Sequence, residues 1–332
     1  MKGLPQVWLD YPRAGLMLRR TWALPVGLLA LAVAIVLPFF VQPFFVDIMT
    51  RVLVFAILAV GLNLLVGYAG LPSLGQAAFL AMGAYTLAIL VKRTGLPALV
   101  AVLAAIVAAG LLGALFGLIA LRARGATFLL ITLALAQSAW AVAFTWRAMT
   151  GGDDGIGGIS RPTLAFLPWS MEQARPYYFL VLIVFLVLLW GFSVLVRSPF
   201  GLALQGIRDN ELRMRSLGYN TWLYQFVAFI IAALFGGVAG VLRAYLTEAV
   251  TPGWAEVTPS AEALLMVIIG GPGTVVGPLI GALIVVPAGQ IANFFTNRWQ
   301  LVLGVVYVLV VLFAPGGIIG LLRRGRGGEE LA

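Results

Sequence analysis

The chain contains no cysteine, no histidine and only two lysines, Lys2 and Lys92. Without Cys and His there can be no Cys/His zinc site, no histidine-ligated haem, no thiolate nucleophile and no histidine general base. Neither lysine stands in a G-x-x-x-x-G-K-[ST] loop, which excludes ATP hydrolysis by that route in this chain. Charge is scarce too: Asp, Glu, Lys and Arg make up 10% of the 332 residues, against about 25% in soluble domains. The remainder is 62% hydrophobic with a mean hydropathy of +1.06, which places the chain among membrane proteins. A formal charge of +9 invites a nucleic-acid reading. Arginines scattered between apolar runs are better explained by membrane topology, so no nucleic-acid partner is expected. No catalytic residue, metal ligand or bound cofactor is expected either.

A helix crossing the hydrocarbon needs about 20 apolar residues. Windows of that length free of Asp, Glu, Lys and Arg are 21–46, 52–91, 94–121, 125–146, 176–196, 216–242, 263–297 and 299–322. Window 52–91 holds 40 residues, enough for two spans, and "GYAGLPSLGQ" (67–76) breaks it near the middle. Window 263–297 holds 35 and is broken by "GGPGTVVGP" (270–278), which reads as two short or re-entrant helices. The expected fold is therefore an all-α polytopic membrane protein with about eight full transmembrane helices plus a broken short pair, ten segments in all. An even count puts both termini on one side. With them inside, 13 of the 21 basic residues face inward, and most acids face outward, as the positive-inside rule requires for cytoplasmic termini. The organisation follows: 1–21 a cytoplasmic N-terminal segment, 22–322 the transmembrane domain, 323–332 a cytoplasmic tail. Within the domain, 148–175 is a Gly- and Pro-rich external loop and 197–221 a cytoplasmic loop. The N-terminal apolar run is too long for a signal-peptide core and reads as a retained first span.

The cytoplasmic loop is a polar island, with Arg208, Asp209, Glu211, Arg213 and Arg215 inside a run of eight positions. It reads as one short amphipathic helix, started by Ser198-Pro199 and Gly201 and ended by Gly218. Phe200, Ala203, Leu204, Ile207 and, after a drift, Met214 and Leu217 form its apolar stripe; Arg208, Glu211 and Arg215 share another face. Composition alone favours a solvated loop over the second reading, a docking helix for a cytosolic partner.

The residues around the island carry a resemblance. "RSPFGLALQGIRDNELRMRSLGYNTWLYQFVAFIIAALFGGVAGVLRAY" (197–245) resembles the coupling region of the inner-membrane permeases of branched-chain amino acid ABC importers, the LivM/LivH family. Four further stretches match the same family in order: "GLNLLVGYAGLPSLGQAAFLAMGAYTLAIL" (61–90), "TGGDDGIGGI" (150–159), "EALLMVIIGGPGTVVGPLIGALIV" (262–285) and "LVLGVVYVLVVLFAPGGIIGLL" (301–322). The long N-terminal lead resembles LivM rather than the shorter LivH. Two departures stand out. Positions 213–215, usually small and acidic in the family, are Arg213, Met214 and Arg215, and position 76, often His, is Gln76.

The resemblance implies a permease subunit, not an enzyme, in the bacterial cell inner membrane. It would form a heterodimer with a LivH-like permease and be driven by one or two LivG/LivF-like subunits that bind the ATP and Mg. An external substrate-binding protein would deliver leucine, isoleucine or valine. Relatives carrying urea, short amides or other amino acids leave that alternative open. Coupling to the ATPase would fall on Gly206, Ile207, Arg208, Asp209, Asn210, Glu211, Leu217 and Gly218. The substrate pathway would fall on Asn63, Ser73, Gln76 and Gln137, with Gly270, Gly271 and Gly273 at the second break. Each polar residue in a span can equally serve to bond a neighbouring helix, and the glycine repeats 113–117 and 236–240 read first as tight packing. Glu262 is placed to pair with Arg243. A secondary transporter would need a buried acid, for which Glu262, at the edge of its window, is the one candidate. An intramembrane enzyme lacks His, Cys and any acid pair within a span.

Overall fold

In hydrocarbon every backbone N–H and C=O must find its partner inside the protein, so apolar segments of this length fold as helices. The computed structural model describes residues 20–161 and 173–295, with isolated positions between 301 and 308. The N-terminal segment before Arg20, part of the expected external loop, nearly all of the final span and the 323–332 tail lie outside the described residues. The order is α1 Arg20–Phe40, α2 Pro43–Asn63, α3 Gln76–Ile89, α4 Ala98–Ala120, α5 Ala126–Thr145, α6 Arg147–Thr150, α7 Ala174–Arg197, α8 Pro199–Asp209, α9 Glu211–Ser216, α10 Thr221–Thr247, α11 Val257–Gly270 and α12 Gly277–Phe295. Two short strands, β1 Ile156–Gly157 and β2 Ala249–Val250, pair antiparallel beyond the end of α10.

Six helices among the described residues, some lengthened by a π-helical turn, are long and apolar enough to cross a membrane: 43–69, 76–94, 98–120, 126–145, 174–197 and 221–247. Shorter apolar helices cover 27–40, 257–270 and 277–292. This is an all-α polytopic membrane protein. The broken window at 263–297 does contain two helices, α11 and α12, joined through Gly271–Val276.

Helix α2 is the central post. Every residue from Val52 to Leu65 is buried, which explains why its sequence is apolar all round rather than striped. Helix α10 crosses it and also packs on α3 and α4 through glycines. A Cβ at Gly240 would overlap the carbonyl of Leu80, and one at Gly113 would overlap Ala233 Cβ, so these backbones meet only because a side chain is missing. The periphery is the reverse. Leu99, Leu103, Val107, Leu111, Leu115 and Leu118 of α4, with Ile183, Val187, Trp190 and Val194 of α7, are exposed at near i, i+4 spacing and present large apolar surface to lipid.

The polar island corrects the sequence reading. Instead of one helix, the chain folds as α8 and α9, broken at Asn210, whose backbone is extended (φ −160°, ψ 97°). The Asn210 side chain accepts from Arg213 N at 2.9 Å and caps α9, which a mid-helix position could not do. The stripe of Ala203, Leu204 and Ile207 is buried as expected, but Leu217 is 67% exposed. The shared polar face also divides. Arg215 stays with Glu211, whereas Arg208 turns inward.

Candidate functional site

Helix α2 ends in a π-helical turn, Leu64–Ala69, and Gly70 then takes a left-handed conformation (φ 71°) that turns the chain back toward α3. This is the first break. The second lies between α11 and α12, where Gly271 and Gly273 have φ of 107° and 75°. The fold brings the two breaks together. Asn63 Nδ2 donates to the Thr274 carbonyl at 2.8 Å, and its Oδ1 accepts from Gly273 N at 2.9 Å. The contact is so close that a Cβ on Gly67 would overlap Gly273 N. Thr274 Oγ1 donates to the Gly271 carbonyl at 2.7 Å and accepts from Gly277 N at 3.1 Å, which closes the hairpin around Gly270.

Arg208 reaches this junction from α8. Its Nη1 donates to the carbonyl of Gly67, its Nε and Nη2 donate to Asp209 at 3.2 and 3.1 Å, and its stem lies against Gly70. A Cβ built on Gly273 would stand 3.5 Å from Arg208 Nη1. One side chain of the polar island thus touches the first break and borders the second. Ile207 and Gly206 seat α8 on the bundle; Ile207 is buried, and Gly206 makes room for the Met214 side chain folding back from α9.

Glu211 organises the rest of the island. It accepts from Arg215 Nη2 at 2.7 Å, Arg124 Nη2 at 3.2 Å and Thr221 Oγ1 at 3.0 Å, tying α9 to the α4–α5 turn and to the start of α10. Gly218 (φ 88°) ends α9, with Tyr219 N bonded to the Met214 carbonyl. Leu212, Arg213, Leu217 and Tyr219 face out, an exposed apolar and basic knob beside the exposed Asp209 and Arg215.

The other pathway candidates fall deeper. Helix α3 begins inside the bundle, and hydroxyls satisfy its approach: Thr132 Oγ1 accepts from Leu74 N (3.2 Å), Ser73 Oγ from Gly75 N (3.1 Å) and Ser260 Oγ from Ala77 N (2.8 Å). Sequence does not single out Ser260; the "TPS" at the start of α11 is a helix-start signal, not a pathway signal. Gln76 is fully buried, and among the described residues neither its Oε1 nor its Nε2 has a hydrogen-bond partner. Gln137 is half-buried on α5, about a turn and a half beyond Thr132. The expected pairing of Glu262 with Arg243 is not made. The Arg243 guanidinium lies instead between the rings of Phe55 (5.2 Å) and Trp254 (4.3 Å), and no ion pair joins it to Glu262. Among the described residues no group of acidic side chains could hold a metal ion.

Asn63 thus joins the two interrupted segments, and Arg208 ties the α8–α9 pair to the first of them. The high-affinity branched-chain amino acid transport system permease protein LivM of Escherichia coli is 32% identical over 319 residues, covering 90% of this chain and 75% of its own length. LivM of Salmonella typhimurium is 31% identical over 314 residues, covering 88% and 74%. The LivH permease of Salmonella typhimurium is 29% identical over a shorter stretch of 143 residues, 42% of this chain and 46% of its own length. No solved structure matches the chain. The family described as branched-chain amino acid transport system / permease component matches residues 44–313, and the chain belongs to that family.

Proposed function

We propose that this chain is one of two permease subunits of an ATP-driven importer in the bacterial cell membrane, carrying leucine, isoleucine and valine. It pairs with a LivH-like permease. One or two LivG/LivF-like subunits bind the ATP and Mg, and an external binding protein presents substrate at the side of the Gly/Asp loop around Asp153 and Asp154. The termini and the α8–α9 pair lie in the cytoplasm, as the arginine distribution favours. The observation that carries this reading is Arg208, which ties the surface helix pair to the carbonyl of Gly67 at the first break and borders Gly273 at the second. The exposed knob of Leu212, Arg213, Leu217 and Tyr219 takes the ATPase groove. Closure of the ATPase pulls α8 through it, and α8 pulls both breaks at once, because Asn63 holds them together. The neutral polar groups farther in, Ser73, Gln76 and Gln137, suit a solute that passes without being held tightly. Arg208→Glu and Glu211→Arg test this reading in whole cells. Uptake of labelled leucine should be lost in both while the protein still inserts at normal levels; normal uptake in both sinks the coupling role.

A further inference from the structure

Where α4 ends beside the start of α10, the exposed apolar surface runs into uncompensated positive charge. Leu111, Leu115 and Leu118 form an outward stripe on α4, and Arg122, also exposed, follows Leu118 by about one turn. At about 1.5 Å per residue the 23 residues of α4 rise about 34 Å, close to the thickness of the hydrocarbon, so the turn after it stands at headgroup level. On α10 the Trp222 ring lies flat on Phe226, with centroids 4.9 Å apart and 11° between planes. Phe226 packs on α4, where a Cβ at Gly117 would stand 3.1 Å from its ring. Gly117 lies a turn or so before Arg122, and Phe226 one turn after Trp222, so the arginine and the half-exposed indole share one height. The α4–α5 turn carries Arg122 and Arg124 and no acid; from residue 48 to residue 152 the sequence has neither Asp nor Glu. Arg124 shares the carboxylate of Glu211, at 3.2 Å, with Arg215, at 2.7 Å. Arg122 closes no ion pair among the described residues.

An apolar face exposed in a membrane is covered by lipid, and nearby charge decides which lipid. Guanidinium groups that outnumber the carboxylates around them complement an anionic headgroup, whereas a zwitterionic one brings its own ammonium against them. We propose that the α4–α5 turn and the adjoining faces of α4 and α10 bind an anionic phospholipid. Arg122 and Arg124 take its phosphate, Trp222 flanks the headgroup, and an acyl chain runs along Leu118, Leu115 and Leu111. A water-soluble anion would use the arginines and leave the stripe uncovered; the lipid uses both. Arg124 can turn to the phosphate without loosening α9, because Glu211 keeps Arg215 and Thr221. The lipid thereby holds the α4–α5 turn, next to the α8–α9 pair, at the membrane surface. The site asks only that the chain span a membrane, and is independent of what the chain carries.

The test uses the full-length chain, purified in mild detergent with the subunits that stay bound to it. Retained lipid is counted by native mass spectrometry during titration with phosphatidylglycerol and with phosphatidylcholine of identical chains. Phosphatidylglycerol should bind more tightly by about twentyfold. Arg122→Gln and Arg124→Gln should each lower that preference about fivefold, and the double variant should erase most of it. Arg197→Gln, at the exposed end of α7, which packs on α2 and α8, should leave it intact. Equal binding of the two lipids by the unaltered chain, as when another subunit covers this face, overturns the proposal. So does a preference that survives the double variant, or an equal loss in Arg197→Gln, which would mark a diffuse charge effect. Glycerol phosphate, the headgroup chemistry without chains, should displace the lipid poorly; displacement as effective as that by phosphatidylglycerol would mean a soluble anion site and overturn it too. Uptake plays no part in the readout, so a failed importer reading leaves the result standing.

Discussion

Arg208 and Arg243 both reach into the helix packing, and their guanidinium groups meet opposite fates. Arg208 donates to the Gly67 carbonyl and to Asp209, and its side chain remains 21% exposed. Arg243 has aromatic faces on both sides and a buried nitrogen with nothing to bond among the described residues. The first arrangement is what a mechanical joint requires, since each donor removed there loosens a contact between elements. The second leaves a buried donor unsatisfied, which is poor for stability. The difference separates a hydrogen-bonded joint between elements, on α8, from a cation held by aromatic faces near the end of α10.

The joint can be broken most severely at Gly67. A valine there would drive its side chain into Gly273 N and Asn63 Oδ1, and backbone cannot yield as a flexible side chain does. Gly67→Val should lower stability by about 3 kcal/mol and abolish uptake, measured by thermal unfolding of the purified complex and by leucine accumulation. Asn63→Leu comes next. It keeps the heavy-atom branching, but its methyl groups cannot bond and leave Gly273 N and the Thr274 carbonyl unpaired, a loss of at least about 2 kcal/mol. If the Asn63→Leu complex unfolds at the wild-type temperature, the two breaks are not held by this side chain.

Much of this joint is invisible in sequence, for a physical reason. The charge-free windows locate the spans because hydrocarbon tolerates few ions, and the Gly-rich breaks are legible because only glycine permits such turns. That the two breaks meet is not legible: Asn63 and Gly273 lie 210 positions apart, and an asparagine in a span is equally suited to bonding any neighbour. The break at Asn210 escapes sequence reasoning because helical periodicity runs almost unbroken through it, while capping depends on the local backbone. Spacing puts Arg208 beside Glu211 and Arg215, as it would be on a continuous helix; once the helix breaks, that face no longer exists. Sign alone matches Glu262 to Arg243, and the Phe55 and Trp254 rings that flank the guanidinium come from two other segments.

The sharpest test of the comparison is the same substitution at both arginines. Arg208→Met removes a donor to a part-buried carbonyl and should cost about 1–2 kcal/mol, with uptake lost. Arg243→Met removes a buried charge that closes no ion pair among the described residues, and methionine keeps most of the packing between the two rings. The lost cation–π attraction, about 2 kcal/mol, is offset by the desolvation no longer imposed. Its unfolding temperature should therefore equal or exceed that of the wild type. Equal destabilisation by both would mean Arg243 is a structural element like Arg208, and the contrast would collapse.

The smallest effect belongs to Arg124. Its bond to Glu211 at 3.2 Å joins the α4–α5 turn to α9, but the arginine side chain is 62% exposed and Glu211 keeps Arg215 and Thr221 as partners. Water and salt screen such a pair, so Arg124→Ala should cost less than about 1 kcal/mol and less still at high ionic strength. Uptake is the more telling readout. Glu211 needs its Arg215 and Thr221 contacts to orient α9, and those survive the substitution, so transport should persist near the wild-type rate. A large loss of uptake without a loss of stability would place Arg124 in the ATPase contact itself, widening the transmission surface from the α8–α9 pair to the α4–α5 turn.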